Sequence, residues 1–221
     1  MRRSVNYYRR VGRTSDARER LVQAAIDLIW RSSYGAVGVD AICAQAGVKK
    51  GSFYHFFSSK DELVVAALAH HWDTRRPVFD AIFSPSLPPL ERLRRYLDYV
   101  SERQREVRRQ YGRVLGCFHH SIGTECVGQP PDVAAKVQEV IGSQRRYLET
   151  TLRDARAEGF GCGDPVEGAK ALFALAQGAL AQARIHDDPE ILCSLTETGF
   201  SLLGLGPVPR APAGSGERSA L

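Results

Sequence analysis

The chain of 221 residues has no apolar run close to the 18 or so residues that a membrane-spanning helix needs, and no apolar segment follows its basic first residues. We therefore expect a cytoplasmic protein with no membrane partner. The sequence also contains no Gly-x-Ser-x-Gly, no phosphate-binding glycine loop and no His-Glu-x-x-His motif. The lack of a catalytic motif argues against an enzyme, and we predict no cofactor.

Cysteine is sparse, with five residues at irregular spacing and no zinc-finger pairing. An odd, irregular set of this kind indicates free thiols and not a disulfide framework. Hydrophobic residues make up 43% of the chain and charged residues 25%. These proportions are ordinary for a globular protein with a sizeable core.

Acidic residues are scarce in the first 60 residues, which hold eleven Lys or Arg and four Asp or Glu and so carry a charge of +7. The rest of the chain carries a charge of −2. A basic segment on a nearly neutral remainder is typical of a DNA-binding domain attached to a larger body. Residues 1–13 contain five arginines, no acid and no helical stripe. We predict a disordered basic arm there, which contacts either the minor groove or phosphates without specificity.

One stretch, residues 39–62 (VDAICAQAGVKKGSFYHFFSSKDE), organises this basic segment. Ile42 and Ala46 lie on one face of a short helix, and Gly47 ends it because glycine adopts the left-handed conformation without a clash. A second short helix follows, with its phenylalanines inward and its polar side chains outward. This is the helix-turn-helix pattern, whose second helix enters the major groove. The candidate DNA contacts are Val39, Lys49, Lys50, Gly51, Ser52, Tyr54, His55 and Lys60.

Lysine, serine, tyrosine and histidine suit such an interface because they donate hydrogen bonds to phosphates or base edges, and Gly51 permits close backbone approach. Ser59 and Glu62 have the spacing of a capping box, which places Lys60 at the positive end of the next helix and predicts a phosphate contact there. An ordinary solvated helix with two lysines and a tyrosine remains the alternative.

The segment AGVKKGSFYHFFSSKDELVVAAL, together with the preceding amphipathic ERLVQAAIDLIW, closely resembles the DNA-binding domain of the TetR family of transcriptional regulators. The resemblance covers residues 15–68. Two positions depart from the family pattern: Ser33 stands where glycine is usual, and Gly38 replaces the usual serine or threonine. The second change removes a hydroxyl that often caps the first motif helix and touches phosphate.

The remaining pattern predicts an all-α fold. An N-terminal three-helix helix-turn-helix DNA-binding domain (14–60) follows the arm, with Asp16 capping its first helix. A C-terminal helical ligand-binding and dimerisation domain (61–205) comes next, and a flexible tail (206–221) ends the chain. The first helix of that second domain, from Ser59 to about residue 74, turns His71 and four apolar residues inward, and we expect it to act as a lever. A loop is predicted over 77–89, and further helices over 90–109, 132–158, 165–185 and 189–203.

The resemblance further implies a homodimer, because TetR-like proteins pair through their two C-terminal helices. One small motif reads few base pairs, so two heads about 34 Å apart double the contacts on a palindrome. We therefore expect a homodimeric repressor that binds a double-stranded DNA operator and is released by a small-molecule or electrophilic effector.

The stretch GCFHHSIGTE around Cys117 resembles a TetR branch that responds to reactive electrophiles or small unsaturated acids. Three interpretations stay open: a reactive thiol activated by His119, His120 or Arg184; a metal site of Cys117, His119, His120 and Cys126; and a small packing residue beside a non-covalent pocket. A helical enzyme using this cluster is a weaker alternative. The candidate ligand-binding residues are Trp72, Cys117, Phe118, His120, Tyr147, Phe173, Gln177 and Arg184.

Overall fold

The structure, a computed structural model, describes residues 5–126 and 130–206, with side chains from residue 16 onward. Every regular element in these ranges is helical, which confirms the all-α prediction. The first helices are α1 (Val5–Arg31), α2 (Val39–Ala46), α3 (Lys50–Phe56), α4 (Lys60–Asp73) and α5 (Arg76–Ile82). They are followed by α6 (Pro89–Tyr111), α7 (Phe118–Glu125), α8 (Pro131–Ala157), α9 (Pro165–His186), a 3-10 helix (Pro189–Leu192) and α10 (Leu195–Leu202). None of the described helices is both long and apolar enough to cross a bilayer.

The first helix differs from its prediction because it begins at Val5, so Asp16 lies inside α1 and not at its cap. The expected disordered arm was therefore wrong over residues 5–13. No proline interrupts this segment, and a formed helix gains one hydrogen bond for each residue it adds. Residues 1–4 of the expected arm and residues 207–221 of the expected tail lie outside the described residues.

The two motif helices are bounded as the sequence predicts. Gly47 has φ 62° and ends α2, and its N–H bonds to Ala44 O. Gly38 precedes α2 without a side-chain cap. Phe53 and Phe57 are buried in the core behind α3, while Phe56 is only partly buried. The local sequence thus fixes the turn and the inward face of the motif.

The N-terminal cap of helix α4 forms one of the two predicted capping-box hydrogen bonds and replaces the other. Ser59 Oγ accepts from Glu62 N at 3.1 Å, as a capping box requires. The Glu62 carboxylate, however, accepts from Ser58 N at 2.6 Å and from Ser58 Oγ at 2.7 Å, one residue before the predicted partner. These bonds lower the pKa of Glu62 and fix the entry of the chain into α4.

Two predicted boundaries were wrong. Pro77 does not begin a loop but occupies the first turn of α5, where its missing N–H costs no hydrogen bond. The last predicted helix, 189–203, is divided into the 3-10 helix and α10. Asp188 caps the first of these pieces, and Asp164 caps α9 as predicted.

Two hydrophobic cores meet along α4. The first, which we call the head core, joins α1 to α4 and also takes in Phe118 and Ile122 of α7 and Val133 and Val137 of α8. The second, the body core, joins α5, α6 and α8 to α9, the 3-10 helix and α10, and includes Trp72 from the end of α4. We call α1 to α3 the head and α5 to α10 the body, and α4 connects them.

Close packing within the body core gives a stability prediction. A Cβ on Gly199 of α10 would lie 2.9 Å from one methyl group each of Leu97 and Leu172, both fully buried. We expect Gly199→Ala to lower the free energy of unfolding by about 1 to 3 kcal/mol, because a packed core cannot yield to an added methyl group. Chemical denaturation would measure this change.

The matched control is Gly142→Ala in α8, where the nearest atom to the new Cβ, Arg146 Nη1, lies at 3.7 Å. That substitution should raise stability by up to about 1 kcal/mol, since alanine favours helix more than glycine. Equal effects at the two positions would contradict this difference in packing.

Candidate functional site

Helix α3 and the residue before it form an exposed polar surface. Lys49, Lys50, Ser52 and His55 are exposed, and the Tyr54 side chain is 55% exposed although it is a large ring. Tyr54 packs edge-on against the buried Phe53, with 5.0 Å between ring centroids. Gly51 is exposed and a Cβ there would meet nothing within 4 Å, while Val39 at the start of α2 is partly buried. The structure thus places seven of the eight candidate DNA contacts along one motif.

Lys50 differs from Lys49 because it already has a partner. Its ammonium lies 2.7 Å from Asp40 Oδ1, and both side chains are largely exposed. An exposed pair of this kind contributes little to stability and is screened by salt. The contact nevertheless links α3 to the first turn of α2.

Lys60 has a role that the sequence did not indicate. Its Nζ donates to Tyr34 O at 2.9 Å and to Val37 O at 3.3 Å, and it lies 3.9 Å from the centre of the Tyr34 ring. The Tyr34 hydroxyl in turn donates to Asp61 Oδ1. Lys60 therefore holds the loop between α1 and α2, and its ammonium is not directed to solvent as a phosphate donor.

A small polar cavity lies between α4, α6, α7 and α9. Its volume is about 80 Å³. For comparison, an engineered apolar cavity of roughly 150 Å³ accepts benzene, so the space fits a ligand of about three to five heavy atoms. We call it the polar cavity; its lining includes Trp30, His71, Arg75, Tyr99, Arg103, Gln104, Gly116, Cys117, Phe118, His119, Gln144, Gln177 and Leu180.

Several buried polar atoms in this lining have no hydrogen-bond partner among the described residues. They are both ring nitrogens of His71, Trp30 Nε1 and Gln177 Oε1. Each unpaired buried group costs about 1 to 3 kcal/mol. Burial also lowers the pKa of His71 well below its usual value, and Arg75 lowers it further, so the ring is neutral and offers one donor and one acceptor.

Two arginines give the cavity a positive charge. Arg75 and Arg103 form no ion pair with any described carboxylate, although both are partly buried. Arg75 Nη1 donates to His71 O at 3.2 Å. Burial lowers the pKa of Arg75, and the charge of Arg103 lowers it further. Like charges without a counter-ion in a partly desolvated site favour an anion.

Cys117 lies in the wall of the polar cavity and immediately before α7. Burial raises the pKa of its thiol, and this outweighs the N–H donors of His120 and His119 and the side chain of Gln177, which act in the opposite direction. Burial likewise lowers the pKa of His119 to about 4, and the His119 ring bonds to Leu68 O at 3.2 Å. His119, whose ring is already bonded to Leu68 O, is thus not placed to take the Cys117 proton.

The other candidate ligand residues do not share this cavity. His120 and Arg184 line a second space of about 600 Å³, the junction cleft, which lies between the end of α1 and helices α7 and α9 and shares Gly116, Cys117, Gln177 and Leu180 with the polar cavity. Trp72 and Tyr147 line a separate cleft of about 660 Å³, and Phe173 is buried in the body core. The eight candidate ligand residues are thus divided among three spaces and the body core, and their role in ligand binding stays a prediction.

Sequence reasoning missed Trp30, His71, Arg75 and Arg103 as cavity residues. A usable signal existed, because His71 was placed on the inward face of its helix and Arg75 follows one turn later. A buried histidine with an arginine at i+4 is an unusual use of a core position. The proposed metal site is also not formed, since the described residues contain no group of three His, Cys, Asp or Glu able to hold an ion.

Two family models match the chain. The one described as "Bacterial regulatory proteins, tetR family" matches residues 21–67, and the one described as "Tetracyclin repressor-like, C-terminal domain" matches residues 89–198. The first covers most of α1 to α4 and the second covers the body from α6 to α10.

Individual relatives agree. The chain is 32% identical over 190 residues to the transcriptional regulator AcuR of Cereibacter sphaeroides, covering 82% of this chain and 83% of that protein. It is 27% identical over 172 residues to the HTH-type transcriptional repressor NemR of Escherichia coli, covering 77% and 85%. A crystal structure of the regulatory protein TetR from Rhodobacter sphaeroides superposes with a TM-score of 0.74 at 30% identity, covering 84% and 98%.

The different environments of Lys49 and Lys60 give a prediction that distinguishes a residue contacting DNA from one that supports the loop between α1 and α2. Lys49 is exposed and begins α3, so Lys49→Met should remove one phosphate contact and make the slope of log K against log salt shallower by about 0.9, with unchanged thermal stability. Lys60→Met should instead destabilise the protein by about 1 to 3 kcal/mol, because two carbonyls lose a charged donor.

The measurements are a salt titration of duplex binding and a thermal melt for each variant. If Lys60→Met shifts the salt slope as far as Lys49→Met and leaves the melting temperature unchanged, Lys60 is a phosphate contact and does not support the loop.

Proposed function

Because the chain belongs to the tetR family of bacterial regulatory proteins, it is a DNA-binding transcriptional regulator and not an enzyme, and we propose that it is a homodimeric repressor released from a palindromic operator by a small effector. The observation that carries this proposal is the position of α4. Its first half packs in the head core, and its last turn and the residue after its C-cap bring His71 and Arg75 to the polar cavity. A ligand in that cavity contacts the element that supports the reading surface.

Dimerisation is supported by the outer surface of the C-terminal helices. Ile185 at the end of α9 is 71% exposed and Leu202 at the end of α10 is 50% exposed. Between them, α9 presents the small residues Ala171, Ala174 and Gly178 to solvent. Small side chains let a second helix approach closely, so this face is suited to a twofold pairing that sets the spacing of two heads.

Repression is supported by the name of one relative, the repressor NemR. A repressor leaves its operator when the effector favours a conformer whose heads are wrongly spaced for DNA. The effector must therefore bind one conformer better than the other. The unpaired polar groups of the polar cavity supply this difference in affinity, because they change position when α4 moves.

The chemistry of the cavity supports a compact anion as the effector. Arg75 and Arg103 provide charged donors without a carboxylate partner among the described residues, and Trp30 Nε1 provides a further buried donor. A small carboxylate accepts from all of these, whereas an uncharged molecule of the same size leaves two cations unneutralised. His71 stays neutral, so the charge of the site comes from the arginines alone.

Covalent sensing at Cys117 is the second candidate function, favoured by its position in the wall shared by the polar cavity and the junction cleft. In that case the sulfur would form a bond to the β carbon of an electron-poor alkene. The π electrons would move toward the acyl group, and the thiol proton would end on the α carbon. The raised pKa of Cys117 slows this reaction because the thiolate is the nucleophile.

DNA recognition is tested by footprinting the protein on the region upstream of its own gene. We expect a protected palindrome with two half-sites about one helical turn apart, because two linked heads reach successive major grooves. Tyr54→Ala should abolish this protection without lowering the melting temperature, since Tyr54 is exposed. Protection that persists in Tyr54→Ala, or a single unpaired half-site, would contradict the proposal.

The effector class is tested by thermal shift with propionate, propenoate and the uncharged propionamide. Both acids should raise the melting temperature and propionamide should not, because only the acids neutralise the arginines. A ligand at 100 times its Kd stabilises by about 2.7 kcal/mol. Arg75→Met should abolish the shift, while Arg76→Met, which changes an arginine outside the polar cavity, should retain it.

Two outcomes separate the candidates. Equal shifts with acid and amide would exclude the anion site. A shift with propenoate alone, accompanied by a mass increase on the Cys117 peptide and lost in Cys117→Ser, would establish covalent sensing instead. Affinity for the acids should also be constant between about pH 6 and pH 8, because His71 does not titrate in that range.

A further inference from the structure

The loop between α1 and α2, residues 32–38, belongs to the head and contacts helices α7 and α9 of the body. Arg184 Nη2 of α9 reaches the carbonyl oxygen of Ser32 at 3.3 Å. Gly35 N donates to Glu125 Oε2, at the end of α7, also at 3.3 Å. These contacts join residues 152 and 90 positions apart, so they fix the loop to two body helices at once.

Arg184 is itself held in place. Its other terminal nitrogen, Nη1, donates to Ser121 Oγ of α7 at 2.6 Å, so one guanidinium connects α9, α7 and the head. Burial lowers the pKa of Arg184, and the nearby charge of Arg113 lowers it further, while Glu125 acts in the opposite direction. The Arg184 guanidinium is partly buried, its bond to Ser32 O is exposed, and hydrogen bonds from charged groups are stronger than those between neutral groups.

The same loop is attached firmly to the rest of the head. Lys60 holds its Tyr34 and Val37 carbonyl groups from the first turn of α4, and Ile42 N of α2 bonds to Gly38 O at 3.2 Å. The loop therefore cannot move without α2 and α4. A shift of residues 32–38 is passed to the motif that carries the reading surface.

The body end of these contacts adjoins the polar cavity. Leu180 and Gln177 of α9, one and two turns before Arg184, line both the cavity and the junction cleft. Gly116 lies beside both residues: a Cβ on it would be in ordinary contact with Leu180 O at 3.5 Å and with Arg184 Cδ at 3.6 Å. Gly116 and Gln177 therefore connect the wall of the polar cavity to Arg184.

We propose that Arg184 and Glu125 form a latch that holds the loop of residues 32–38, and with it the head, in the orientation that fits DNA. They are positioning residues: neither touches DNA nor needs to touch the effector. The part of this inference that concerns release by the effector rests on the proposed function. The latch itself is a property of the free chain and can be tested without DNA or ligand.

The direct test is amide hydrogen exchange of the peptide covering residues 32–38, followed by mass spectrometry on the full chain. Arg184→Met keeps the length of the side chain and removes the guanidinium, and should raise exchange in this peptide by about tenfold or more, as expected for loss of one charged hydrogen bond. Arg184→Lys should restore part of the protection. Glu125→Gln should raise exchange at Gly35 in particular.

Arg113→Met is the matched control, because Arg113 is exposed and lies near Arg184 but makes no described hydrogen bond to the loop. It should leave exchange unchanged. Unchanged exchange in Arg184→Met, or equal increases in Arg184→Met and Arg113→Met, would overturn the latch. Comparison of peptides elsewhere in the chain separates a local effect from general destabilisation.

The effect of the latch on DNA binding is measured with the DNA fragment from the region upstream of the gene. Arg184→Met should weaken binding about tenfold or more and should reduce the further weakening caused by propionate, because the head is already free to move. Full-strength binding by Arg184→Met would overturn the latch as a positioning device. If the protein without substitutions protects no operator, the proposal of a repressor is contradicted. The hydrogen-exchange result still decides whether the latch exists.

Discussion

Helix α4 belongs to both hydrophobic cores, and this shared packing is the constraint on which the rest of the structure depends. Leu63, Val64 and Leu68 are fully buried in the head core, and Trp72 lies in the body core one turn after Leu68. Protein interiors are close-packed and resist continuous deformation, so a helix fixed in two cores moves as a rigid body or not at all. A change in the cavity beside His71 that displaces α4 therefore also changes the packing that supports α3.

The lysines of the head show why residue type alone does not assign a role. Lys49, Lys50 and Lys60 carry the same charge within twelve positions of one another. Lys49 is exposed, Lys50 pairs with Asp40 and Lys60 is directed into the loop between α1 and α2. The difference comes from Tyr34 and Val37, whose carbonyl oxygens accept from the Lys60 ammonium, and from Asp61, which accepts from the Tyr34 hydroxyl.

Local signals predicted most of the fold. Gly47, Ser59 and Asp164 end or begin helices for reasons contained within four residues, and the apolar period of 3.6 identified the buried faces of α4 and α8. The polar cavity was not predictable in the same way. It depends on Trp30, His71 and Arg103 converging from α1, α4 and α6, and such convergence is a property of packing between distant segments. Confined to local patterns, sequence reasoning grouped Trp72 and Tyr147 with Cys117, although they line a separate cleft, and it began α1 too late.

The size of the cavity limits how an effector could act. A complete change from 1:99 to 99:1 requires about 5.5 kcal/mol of differential affinity. An apolar ligand of about five heavy atoms, burying on the order of 100 Å² at about 25 cal/mol per Å², gains only about 2.5 kcal/mol in total. Charged hydrogen bonds contribute about 1.5 to 3 kcal/mol each, so two of them in one conformer and none in the other supply about 3 to 6 kcal/mol, which reaches the required difference only at its upper end. A twofold dimer with two such cavities halves what each must supply. The polar lining and the proposed pairing of subunits are therefore linked, since a cavity this small can control DNA binding only if it is charged, duplicated or both.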